Sequence, residues 1–74
     1  MKPDQLYNKF RQWNERLGAD IRSFGAMNGA KNTIKMRDYK GHLYIFQYES
    51  DDKWALYYGA AAANFERRMR HDHS

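Results

Sequence analysis

Two groups of residues in this chain have types and spacing that could do chemistry. His42, with Tyr44, Glu49 and Lys53 close by in sequence, is the set from which general acid/base cleavage of RNA could be built, because imidazole changes charge near neutral pH. It has no nucleophile motif beside it, and Asp51-Asp52 read as turn residues, so no catalytic residues are assigned and an enzyme is not expected. His71 and His73 flank Asp72 in the tail and could pick up a transition metal, but a defined zinc site needs three or four converging ligands, so no metal site and no cofactor are expected.

The larger group is aromatic and cationic. Tyr39, Tyr44, Phe46, Tyr48 and Tyr57 lie among Lys35, Arg37, His42 and Lys53, and Arg67, Arg68 and Arg70 close the chain. Rings on a sheet face can stack unpaired bases at roughly 1 to 3 kcal/mol each while lysine and arginine neutralise phosphates. Tyrosine and arginine also carry the hot spots of protein interfaces, so the same residues suit a protein partner.

These residues depend on the stretch from Thr33 to Tyr58, which reads as three strands, about 33–39, 42–49 and 53–58, rich in aromatic and β-branched residues and joined by turns at Lys40-Gly41 and Asp51-Asp52. With two-residue loops, Met36 pairs with Ile45, Arg37 with Tyr44 and Lys35 with Phe46, and Tyr48 pairs with Ala55 and Phe46 with Tyr57. One face then collects Ile34, Met36, Leu43, Ile45, Trp54, Leu56 and Tyr58 as core. The other collects Lys35, Arg37, Tyr39, His42, Tyr44, Phe46, Tyr48, Lys53 and Tyr57. A one-residue change in either loop would swap a strand's side chains between faces.

Before the strands, Leu6, Phe10, Trp13, Leu17, Ile21 and Phe24 recur at intervals of three and four, which predicts an amphipathic helix over about 3–23, opened by Pro3 and Asp4. Gly18 marks a bend or a close approach to the sheet, and Gly25 suits a left-handed helix end. The segment 25–32 is a connection. After Gly59 comes a second helix, about 60–71, with the stripe Ala61 or Ala62, Phe65 and Met69, and a frayed tail over 72–74. The short stripe favours placing this helix beside the first, leaving the face of Tyr44, Phe46 and Tyr48 open.

The expected fold is thus α+β: a single domain over 1–74, order αβββα, with a three-stranded antiparallel meander packed on a long N-terminal helix. That order is similar to the double-stranded-RNA-binding domains, which would imply a duplex RNA ligand. The resemblance stops at element order, because Ala60–Ala63 stand where those domains carry a lysine cluster and Arg67, Arg68 and Arg70 come two turns later.

Composition bounds the rest. The chain has 74 residues and no cysteine, which excludes disulfides and thiolate metal sites and fits a reducing compartment. Thirteen basic against nine acidic residues give a net charge of +4, which favours a polyanionic partner. The start Met1-Lys2-Pro3-Asp4 leads into polar sequence and no apolar run approaches a membrane span, so no membrane partner and a cytoplasmic location are expected. Self-association is a common route to stability for so small a chain. The expected function is a small basic nucleic-acid-binding regulator, for single-stranded or structured RNA or DNA, that uses the aromatic and basic sheet face. The alternative is a phage- or plasmid-type accessory protein that inhibits or modulates a host or defence enzyme by occupying an acidic surface.

Overall fold

Helix α1 (Pro3–Trp13) begins as the sequence predicts, with Pro3 in its first turn, Asp4 beside it and the Gln5 side chain accepting a 2.9 Å hydrogen bond from the Lys2 N–H. In the computed structural model, which describes residues 1–71, the helix stops at Trp13 and does not run on to Ser23. Asn14 breaks it with φ −139° and ψ 56°, its backbone and side-chain N–H groups both donating to the Phe10 carbonyl. A short helix α2 (Glu15–Ala19) follows, and the chain then enters a strand, β1 (Ile21–Ala26). The expected tail over 72–74, including Asp72 and His73, lies outside the described residues.

The apolar spacing that suggested one long helix has a second origin. Ile21 pairs with Asp38 and Ser23 with Arg37, so Arg22 is an extra, bulged residue in β1. The bulge lets Ile21 and Phe24, three positions apart, point to the same side of a strand. Leu17, Ile21 and Phe24 therefore share one core at helix-like intervals while only the first is helical.

The remaining strands are β2 (Thr33–Asp38), β3 (Leu43–Ser50) and β4 (Lys53–Tyr58), and helix α3 (Gly59–His71) ends the described chain. All neighbours are antiparallel, giving a four-stranded sheet in the order β1-β2-β3-β4 where three strands were expected. The extra strand and the broken helix also remove the element order that resembled a double-stranded-RNA-binding domain. No helix among the described residues is long and apolar enough to cross a membrane.

Register decides which side chains share a face, and it differs from the expectation by one residue at each hairpin. The β2–β3 turn holds three residues, Tyr39-Lys40-Gly41: the Gly41 N–H donates to Asp38 O at 3.1 Å and the Asp38 N–H to His42 O at 3.2 Å. Gly41 sits at φ 88°, the left-handed residue that closes a three-residue hairpin loop. Ile34 consequently pairs with Phe46, Met36 with Tyr44 and Arg37 with Leu43. Across β3–β4 the turn does leave Ser50 opposite Lys53, but Glu49 is bulged and Tyr48 pairs with Trp54, Phe46 with Leu56. The two shifts cancel for β4, which keeps its expected face, and only β3 is inverted.

The sheet therefore has a core on each side. On one, α1 and α2 cover Phe24, Ile34, Met36, Tyr44, Phe46, Tyr48, Trp54 and Leu56, with Leu6, Phe10 and Ile21 in the same cluster. Rings interlock there: Tyr7 stacks on Phe24 (centroids 4.4 Å, 7°), Phe10 meets Phe46 edge-on at 5.7 Å and Trp13 stacks on Trp54 at 5.3 Å. On the other, Ala62, Phe65 and Met69 of α3 pack on Leu43, Ile45 and Tyr57, and Met27 joins from the loop after β1. The second helix is thus opposite the first rather than beside it. Gly18 was expected at a bend or a close approach to the sheet; its close neighbour is instead Arg11 of α1, where an added Cβ would lie 2.8 Å from Arg11 Cγ. Gly25 is a strand residue paired with Lys35 and ends no helix.

Candidate functional site

Of the residues expected on one aromatic and basic face, the fold separates the rings of β3 from the cations. Phe46 is 0% exposed, and Tyr44 and Tyr48 are half-buried beside it under α1, because the inverted β3 turns its even-numbered residues toward the first helix. The open platform of Tyr44, Phe46 and Tyr48 therefore does not exist. The Tyr44 and Tyr48 hydroxyls reach the rim and are engaged there, Tyr48 donating to Asp51 Oδ1 at 2.6 Å and Tyr44 to Asp38 Oδ2 at 3.2 Å. Tyr57 lies on the other side, half-buried against Phe65 with ring centroids 5.0 Å apart. Tyr39 is 73% exposed in the β2–β3 turn. Lys53, at the start of β4, pairs with Glu49 at 3.2 Å across the bulge.

Lys35 and Arg37 remain where their strand placed them, on the side opposite α1. α3 packs on β3 and β4, so on this side the β1–β2 half, with Ser23, Gly25, Lys35 and Arg37, is left beside the helix rather than beneath it. A cleft of about 490 Å³ runs between this half-sheet and α3, lined by Ala26, Met27, Asn28, Lys35, Glu66, Met69 and Arg70. Lys35 Nζ donates to Glu66 Oε2 at 3.0 Å, and Arg70 approaches Glu66 Oε1 at 3.6 Å. The Lys35 hydrogen bond holds the Glu66 carboxyl below its ordinary range; burial opposes this, and the charges of Lys35, Arg70 and Arg37 add to the lowering. Lys35 and Arg70 thus contact one carboxylate and Arg37 acts on it through its charge alone, so among the described residues that line the cleft two positive charges less one negative leave a net +1. Arg37 is held by its own hydrogen bond to the Gly41 carbonyl, 2.8 Å.

Arg67 and Arg68 lie exposed on the outer side of α3, near Tyr57, Ala61 and Asn64. Of the twelve residues singled out in the sequence, the cleft gathers Lys35 and Arg70, Arg37 lies farther along the same face of β2, and the others are distributed elsewhere. Met27, Asn28 and Glu66 were not among them. Glu66 carried a signal, since it is the lone acid among the helix-forming residues after Gly59 and stands four positions before Arg70.

A second polar group surrounds Asp38. Its Oδ1 accepts from the N–H groups of Lys40 and His42 at 2.9 and 2.8 Å, and its Oδ2 meets His42 Nδ1 at 3.1 Å as well as the Tyr44 hydroxyl. Burial alone would raise the Asp38 carboxyl. The two main-chain donors, the His42 charge and the Tyr44 hydroxyl outweigh it and hold the group low. Burial, then the Asp38 hydrogen bond, push the Tyr44 hydroxyl up. Glu49 and Lys53, which were to complete a set around His42, stand at the far end of β3, roughly 23 Å of strand away. Asp38 accordingly organises the turn that sets the register. Among the described residues no cluster of three or more metal-binding side chains occurs.

The fold and site define a small α+β domain with a cationic cleft. A scan against protein-family models, a search of curated proteins and a search of solved structures each returned no match.

Proposed function

We propose that this is a non-enzymatic nucleic-acid-binding regulator that holds its ligand by the phosphate backbone, in the cleft between the β1–β2 half-sheet and α3. What supports the reading is that Lys35 and Arg70 both contact the Glu66 carboxylate, while Arg37 adds its charge from the same face of β2. A cation cluster already organised by its own acid loses little side-chain freedom when phosphates replace that acid's share of the contacts. Ser23 and Gly25 are small residues on this face of β1, which lets a sugar-phosphate chain approach the sheet. Because the rings of β3 face α1, base stacking is not the source of affinity, and the protein reads charge and shape ahead of sequence.

The same charge layout fits an acidic protein surface, which makes a modulator of another enzyme the competing reading. Fluorescence anisotropy with labelled single-stranded and duplex oligonucleotides at low salt, alongside a pull-down from nuclease-treated lysate, distinguishes the two. Binding that Lys35→Ala and Arg70→Ala weaken supports the proposal. No binding to any nucleic acid, with a partner captured after nuclease treatment, would replace it with the protein-directed reading.

A further inference from the structure

The two edges of the sheet are built differently. β1 carries the Arg22 bulge, which bends an edge away from further pairing. β4 has neither bulge, proline nor charge from Trp54 to Tyr58, the run Trp-Ala-Leu-Tyr-Tyr. Its outer main-chain groups can be assigned from the ladder. The Tyr48 N–H donates to Asn32 O, on the side away from β4, so Tyr48 and its partner Trp54 form a pair without mutual hydrogen bonds. By alternation Ala55 and Tyr57 bond inward to β3, whereas Trp54 and Leu56 direct their N–H and C=O groups outward. Among the described residues neither takes part in any hydrogen bond outside the strand ladder. Tyr58, at the end of the run, is 67% exposed.

We infer that β4 is a pairing edge and that its occupant is a second copy of this chain, joined antiparallel about a two-fold axis at Leu56. The sequence of the edge is complementary to its own reverse. Trp54 falls opposite the other copy's Tyr58, so an exposed ring meets an indole, and the small Ala55 falls opposite the large Tyr57. Charge agrees with this register. α3 starts immediately after β4 and has no acidic residue in its first turn, and the same two-fold axis sets Asp52 of one copy opposite Ala60 of the other, at that helix start. Asp51 is occupied by Lys9 and Tyr48, whereas Asp52 makes no ion pair among the described residues. The axis stands perpendicular to the sheet, so both α3 helices lie on one side of an eight-stranded sheet. The pairing does not depend on the nucleic-acid reading; if both hold, two cationic clefts face the same way, their β2 strands about 24 Å apart.

Sedimentation equilibrium of the intact chain from micromolar to submillimolar concentration tests the inference. Mass should rise from 8.9 kDa toward twice that value. Tyr58→Lys, which places a charge on an exposed edge position, should weaken self-association about tenfold or more while circular dichroism shows an unchanged fold. Tyr39→Lys, equally exposed but away from the edge, should leave it unchanged. A monomer throughout the range, or a dimer indifferent to Tyr58→Lys, would overturn the pairing.

Discussion

Replacing Phe46 by alanine separates the two possible placements of β3. In the structure the Phe46 ring is fully enclosed and touches the rings of Phe10, Tyr48 and Trp54 at centroid distances of 5.7, 6.3 and 5.7 Å. Removing a buried phenyl group costs about 3 to 5 kcal/mol in lost transfer energy and residual cavity. A domain of 74 residues has about 4 to 11 kcal/mol of stability in total, so the variant should lose a large share of it and lie close to unfolding at room temperature. Urea denaturation followed by circular dichroism reads this as a large fall in midpoint at unchanged slope. Tyr39→Ala, in the exposed turn, should stay within about 0.5 kcal/mol of the parent. A cost below about 1 kcal/mol for Phe46→Ala, the value for a ring on an open platform, would refute the register and with it the separation of rings from cations.

Other outcomes follow from single contacts. Gly41→Ala should destabilise by about 1 kcal/mol, purely through its φ of 88°, since no atom lies within 4 Å of the added Cβ; chemical denaturation measures it. Asp38 has a carboxyl held low in the fold, so its contribution is present above the ordinary carboxylate range and lost as pH falls through that lowered value. Asp38→Asn should therefore flatten the decline of the thermal midpoint between neutral pH and about pH 3, and an unchanged profile would remove Asp38 from the account. Glu66→Gln removes the one acidic side chain that lines the cleft among the described residues and should tighten oligonucleotide binding, read by anisotropy, while Lys35→Ala should cost under about 1 kcal/mol of stability, because its ion pair is partly exposed.

The sequence made the α+β class, the strands β2, β3 and β4, the start of α1 and α3, and the core roles of Leu6, Phe10, Ile34, Met36 and Leu56 legible, since these follow from periodicity and propensity. Three single residues hid the rest. Arg22 bulges β1, so a strand copied the spacing of a helix and the fourth strand was absorbed into α1. Lys40-Gly41 has the composition of a two-residue turn, yet Gly41 closes a three-residue turn fixed by Asp38 through hydrogen bonds that sequence does not display. Glu49 bulges β3 and masks the error in β4, because the second slip restores the first. Of the candidate site only the cations and Tyr57 are legible: the alternation of β2 and β4 puts Lys35, Arg37 and Tyr57 on one face, but their company there is α3, and not the rings of β3.

The central claim is that Lys35, Arg37 and Arg70 act as one phosphate-binding cluster. It is tested most directly by the salt dependence of oligonucleotide affinity for the parent chain and for the variant with all three replaced by alanine. Three phosphate contacts predict that the logarithm of affinity falls with the logarithm of salt at a slope of about −2.7 on duplex DNA, or about −2.1 on single strands, and that the variant loses most of this slope. An equal slope in the two proteins, or affinity that ignores salt, would contradict the claim.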